Sequence, residues 1–144
     1  MELFYKDQNN QYKELADIDG QIKFKAFGQI PTQQQSQLAP QEKTLNAVTV
    51  NAGISTVFTA NAINMDGYST LGIGGSADAS HTWNLFAMPS PDGTNSFGDT
   101  FIGRTGASAT KAGSGVSPLS YAVLQITNSD TVTHTYNIWT RKFN

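Results

Sequence analysis

The chain has 144 residues, a formal net charge of -2 and no cysteine; its length suits one domain, or one domain with an arm, built on its own core. The missing thiols exclude a disulfide framework, a thiolate metal site and a cysteine nucleophile, and the absence of Lys and Arg clusters leaves no footprint for nucleic acid or an anionic membrane. No apolar run approaches the roughly 20 residues of a membrane span, and the acidic, amide-rich start lacks the regions of a signal peptide, so a soluble chain outside the general secretory route is expected.

In chain order, Glu2-Leu3-Phe4-Tyr5-Lys6 and Gln11-Tyr12-Lys13-Glu14-Leu15 flank the polar turn Asp7-Gln8-Asn9-Asn10, which predicts a small β-hairpin. In GQIKFKAFGQIP (20–31), Ile22, Phe24 and Ala26 alternate with Gln21, Lys23 and Lys25, the period of a half-buried strand. PTQQQSQLAPQEK then reads as an extended linker, with a surface loop along the main domain as the other reading. Residues 1–43 hold 11 of the 20 charged residues and 9 of the 10 glutamines, whereas 44–144 hold 11 of the 13 glycines. That shift places a boundary near Lys43, between an N-terminal arm (1–43) and a β-sandwich domain (44–144).

Seven strands are expected in the second region: TLNAVTV (44–50), ISTVFTA (54–60), GYSTLGI (67–73), HTWNLFAM (81–88), DTFIGRT (99–105), SYAVLQITN (120–128) and TVTHTYNIWTRKF (131–143). Asn51-Ala52-Gly53 and Asn128-Ser129-Asp130 are short enough to join antiparallel neighbours. Helical periodicity is absent. Trp83, Leu85 and Ala87 share a face of one strand, Ala122, Leu124 and Ile126 of another, and Val132, His134, Tyr136 and Ile138 of the last. Those faces predict the core of an all-β, antiparallel sandwich.

Catalytic chemistry has little to work with. His134 falls on an apolar face and is read as a hydrogen-bonded core or interface histidine; His81, after the polar turn SADAS, is read as a surface residue. The glycines of GIGGSAD (72–78) lack the helix and the Lys-Ser/Thr pair of a phosphate loop, and predict a turn or bulge. Asp92, Asn95 and Asp99 could supply calcium oxygens, but they lack the glycine and closing glutamate of an EF-hand loop, so Asx turns are expected. The carboxylates after residue 43, Asp66, Asp78, Asp92, Asp99 and Asp130, all fall at turns or strand ends, which is poor ground for a glycosidase pair. No catalytic residue, metal site or cofactor is expected. Exposed aromatics could serve a glycan site or a protein interface; Tyr68, Tyr121 and Trp139 are the candidates, Trp139 sharing its face with Asn137 and Arg141.

Gly67-Tyr68-Ser69-Thr70-Leu71, Asp92-Gly93-Thr94-Asn95 and Tyr121-Ala122-Val123-Leu124-Gln125-Ile126-Thr127-Asn128 follow one another within 62–97 and 120–142. This succession resembles accessory β-sandwich proteins of tailed bacteriophages, of the head-decoration and head-fibre type; the Gly-, Ser- and Ala-rich stretch 96–119 departs from their pattern. The resemblance implies a jelly-roll sandwich, a virion location after assembly in the host cytoplasm, capsid or other virion subunits as partners, and a homo-oligomer, a trimer in the first instance. The arm then becomes a docking device, with Leu3, Phe4, Tyr5, Tyr12, Phe24 and Phe27 as anchors on a neighbouring subunit; the other reading is that both of its strand-like segments fold back as extra strands of the same sandwich. The alternative is a host-surface glycan-binding domain of a phage fibre.

Overall fold

The computed structural model describes residues 4–6, 9, 12–14 and 37–144. The chain divides into two compact units, Met1–Gln35 and Ser36–Asn144. In the first, β1 (Phe4–Lys6) pairs antiparallel with β2 (Tyr12–Glu14), Tyr5 opposite Lys13, which is the hairpin expected from the sequence. Leu3, Phe24 and Phe27, and the strand expected over 20–31, lie outside the described residues.

The second unit is all-β, with no helix among the described residues. Its strands are β3 (Glu42–Val50), β4 (Ser55–Asn64), β5 (Thr70–Ser90), β6 (Ile102–Arg104), β7 (Ala107–Val116), β8 (Tyr121–Asn128) and β9 (His134–Phe143). They form one curled antiparallel sheet in the order β3-β9-β5-β8-β4, with β6 and β7 added along β5. The 21-residue β5 organises it. Its first part, Thr70 to Ala77, lies between β9 and β7; its last part, Trp83 to Ser90, pairs with β8 and, over Leu85 to Ala87, with β6. The register against β7 breaks between Ser76 and His81, and there β5 passes from one set of partners to the other.

Two sequence expectations change here. GIGGSAD, expected as a turn or bulge, is no turn: Gly72 to Ala77 pair residue by residue with β9, the strands expected over 67–73 and 81–88 are one, and the irregularity falls after Ser76, where the register against β7 shifts. Glycine is needed inside that strand for a packing reason. A Cβ on Gly75 would lie 2.7 Å from Ile138 Cδ1 and 3.0 Å from the Trp83 ring, so the main chain sits directly on the core. The boundary also moves. Ala39 is buried and donates its N–H to the Lys142 carbonyl, Leu38 bridges to Phe143, and Glu42 and Lys43 already pair with β9. Residues 37–43 therefore run along the sheet and belong to the second unit, because Ala39 has apolar surface to bury and free β9 backbone to meet.

The expected core faces are in place. Trp83, Leu85 and Ala87, then Ala122, Leu124 and Ile126, then Tyr136 and Ile138, are all fully buried, joined by Leu45, Leu71 and Ile73. Each large side chain removed from water contributes about 1.5–3 kcal/mol. Val132, which the alternation put on the same face as His134, lies before β9 and is exposed.

Candidate functional site

Two regions gather chemistry-bearing side chains. One is a polar cluster where the β5 bend, the β3–β4 turn and the β8–β9 turn meet. Short connections force this meeting: Gly53 donates its N–H to the Asp130 carbonyl, Ser129 to Thr82, and Asn128 Nδ2 donates to the carbonyls of Val50 and Val132. Within it His134 Nδ1 lies 2.6 Å from Asp78 Oδ1 and Nε2 2.9 Å from Asp130 Oδ2. Both ring nitrogens donate when the imidazole is charged. Its pKa is accordingly raised, by Asp130 first and Asp78 second, against the opposing effect of burial. His81 stacks on it with ring centroids 3.5 Å apart and planes 7° from parallel. A carbonyl can only accept, so His81 Nδ1 donates to Ala79, and Nε2 meets the Tyr136 hydroxyl at 2.7 Å. Burial, and next the charges of Asp78 and Asp130, push that phenol up to about 12.

Sequence reading placed His81 on the surface; it is buried inside β5, because the strand does not end at SADAS and the ring has His134, Trp83 and Tyr136 to pack on. The reading of His134 as a hydrogen-bonded histidine agrees with the geometry. No buried side-chain nitrogen or oxygen among the described residues lacks a partner. With both nitrogens of His134 taken, the cluster is a clamp that ties Asp78 at the bend to Asp130 in the turn, and it leaves no nitrogen of that ring for a substrate.

The second region is open. On the outer face of β5, Gly72 and Gly74 alternate with the buried Leu71 and Ile73, and opposite them in β9 stand Arg141 and Trp139. With Ala112 and Ser114 of β7 and Phe143 of β9 they enclose a groove of about 490 Å³. Its floor is glycine: among the described residues nothing lies within 4 Å of a Cβ built on Gly74, while a Cβ on Gly72 would touch Phe143 at 3.4 Å. Lys43, opposite Trp139 on β3, holds its ammonium 5.2 Å from the indole centroid. Arg141 donates Nε to the Ala39 carbonyl, and Arg104 reaches from β6 to the Ala112 and Gly103 carbonyls. Among the described residues two arginines line the groove and no carboxylate does.

The three candidate aromatics are not brought together. Trp139 is half-buried and lines the groove. Tyr68 precedes β5, packs against the core and carries Lys142 Nζ 5.1 Å from its ring. Tyr121 opens β8 between Asn64 and Ser90, beside Gly93. Phe4, Tyr5 and Tyr12 fall on the hairpin strands. The oxygen-rich loop is self-satisfied at Asp92, which accepts the N–H groups of Thr94 and Asn95 and the Asn95 amide, an Asx turn as expected. Those bonds, from Asn95 N–H first, hold its carboxyl below the usual range.

Sequence reading missed Gly74 and Arg104 as groove residues. The signal for Gly74 was the alternation Leu71-Gly72-Ile73-Gly74, a strand with glycine on its outer side; Arg104 had none, since it arrives through the β5–β6 register. No protein-family model matches the chain, and no curated protein matches its sequence.

Proposed function

We propose that the chain is a non-enzymatic structural protein of a tailed-bacteriophage virion, a jelly-roll sandwich that decorates or reinforces the head and docks through its N-terminal unit on neighbouring capsid subunits. The strand order carries this reading. Counting β5 as two strands at its bend gives eight, in two sets of four: β3, β9, the first part of β5 and β7, then β4, β8, the last part of β5 and β6. Such an interleaved order supports the jelly-roll reading, an architecture of two Greek keys wrapped together that capsid and lectin domains use. Fold alone leaves the role open. Two further features favour the virion: the resemblance carried by 62–97 and 120–142, and the separation of Met1–Gln35 as a unit of its own. A homotrimer seated on a symmetric site of the shell belongs to the same reading.

Hydrogen–deuterium exchange on the full-length protein, alone and bound to phage heads, tests it. Residues 1–35 are expected to gain protection on the heads, with Ser36–Asn144 protected in both states. Failure to sediment with heads, or new protection confined to the loops of the second unit, would overturn the proposal.

A further inference from the structure

From the groove on the outer face of β9 and β5 we infer a binding site for an acidic glycan, one whose sugar rings carry carboxylates. Three observations converge there. The floor over Gly74 is vacant, so a ring can approach the main chain closely without meeting a side chain. Trp139 rises beside it, opposite Gly74 in the register, with the Lys43 ammonium over the indole. An aromatic wall next to an open floor suits the C–H face of a pyranose.

Charge selects the class of sugar. Arg104 and Arg141 line the groove and Lys43 lies beside Trp139, with no acid in the lining among the described residues, in a chain whose net charge is -2. Arg141 uses Nε for Ala39, and its terminal nitrogens make no hydrogen bond among the described residues. A guanidinium with its end open is a fork for a carboxylate. An acidic peptide offers the same charge but suits the place less well. Peptides that join sheets do so along an edge, where unpaired N–H and C=O groups remain. Over β5 the main chain is already paired on both sides, to β7 and β9, and the edge that borders the groove, β7, carries the inward charge of Lys111, which discourages strand addition. Side chains and a flat ring are what this face provides. The inference is independent of the virion reading: it uses only residues of the second unit.

Isothermal titration of the full-length protein with trigalacturonate and 3′-sialyllactose, against lactose as the neutral control, tests it. Saturable binding of a carboxylated probe, at least about tenfold tighter than lactose, is expected, weakening as salt is raised. Gly74→Val is the decisive variant, since its Cβ would project into the groove with no described atom within 4 Å. It should weaken binding about tenfold or more with an unchanged melting curve. Trp139→Ala should do likewise, and Arg141→Gln should bring the acidic probe down to the neutral one. No binding of either acidic probe at millimolar concentration, binding indifferent to Gly74→Val, or tighter binding of polyglutamate that is lost in the same variants would overturn it.

Discussion

His134 stands between two carboxylates, and a window of stability follows from that position. Its pKa is raised above 6.5 in the fold, so the folded state holds this proton more tightly than the unfolded chain does. The stabilisation is complete below pH 6.5 and is lost as pH rises through the native value. The carboxylates act with the opposite sign. Burial alone would raise Asp78, but hydrogen bonds from His134 and the Thr135 N–H outweigh it and hold it below 3.8; Asp130 is lowered chiefly by His134. Their contribution is complete above pH 3.8 and disappears on acidification. The clamp is therefore strongest between those limits. Thermal melts from about pH 6 to about pH 9 should show the midpoint falling in the wild type and nearly level in His134→Gln, which cannot titrate. Parallel slopes in the two proteins would refute the clamp. That His134 is hydrogen-bonded was legible in the sequence; its partner Asp78 was not, because the two are 56 residues apart and meet only through the β5–β9 register.

At the scale of the element, β7 shows how an edge strand can be written without an apolar face. Its inward positions are Lys111, Gly113 and Gly115, opposite Gly75, Ile73 and Leu71. The glycines make room for the segment leading into β6. A Cβ on Gly115 would fall 2.5 Å from the Phe101 carbonyl oxygen and 2.9 Å from Ile102 Cγ1, and main chain cannot swing aside as a side-chain tip does. Gly115→Ala should therefore cost about 1–3 kcal/mol, measured by chemical denaturation, with the earliest loss of exchange protection in β6 and β7. Gly113→Ala is the control: its Cβ meets the mobile end of Arg104, and the cost should be smaller. The buried Lys111, with its ammonium on the Gly106 carbonyl and 5.0 Å from the Trp83 ring, is an inward charge of the kind that discourages edge-to-edge pairing. These requirements explain what the sequence hid. β8 and β9 were legible because their inward residues are Ala122, Leu124, Ile126, Tyr136 and Ile138; β7 was not, because ASATKAGSGV fills the same positions with Gly and Lys. In β5 the strand was legible and its continuity was not, since glycine that lets Trp83 and Ile138 approach is indistinguishable in sequence from glycine that turns the chain. Trp139 and Arg141 could be placed on one face by alternation alone, whereas the groove they border required the partner strands.

At the scale of the whole molecule, the pairings that close the second unit are distant in sequence. Glu42 pairs with Thr140 and Ser55 with Thr127, so β3 waits for β9 and β4 for β8. β9 lies between β3 and the first part of β5, and supplies Tyr136 and Ile138 to the core and His134 to the clamp. A central strand whose partners, β3 and β5, lie far from it in sequence makes folding an all-or-none event, slow for the size of the domain because long loops must close before the contacts form. Removing residues 134–144 should therefore abolish the sheet rather than trim it. Far-ultraviolet circular dichroism of that truncation should lose the β signal, and Trp83, fully buried in the intact protein, should emit like tryptophan in water. By contrast, removing Phe4–Lys6 and Tyr12–Glu14 with the rest of 1–35 takes away a separate compact unit and leaves every pairing among β3 to β9 in place. That truncation should melt in one cooperative transition, with tryptophan fluorescence and circular dichroism coinciding. If the shorter chain lost its sheet, the division into two units would not be a division in stability, and the first unit would have to be counted as part of the fold it precedes.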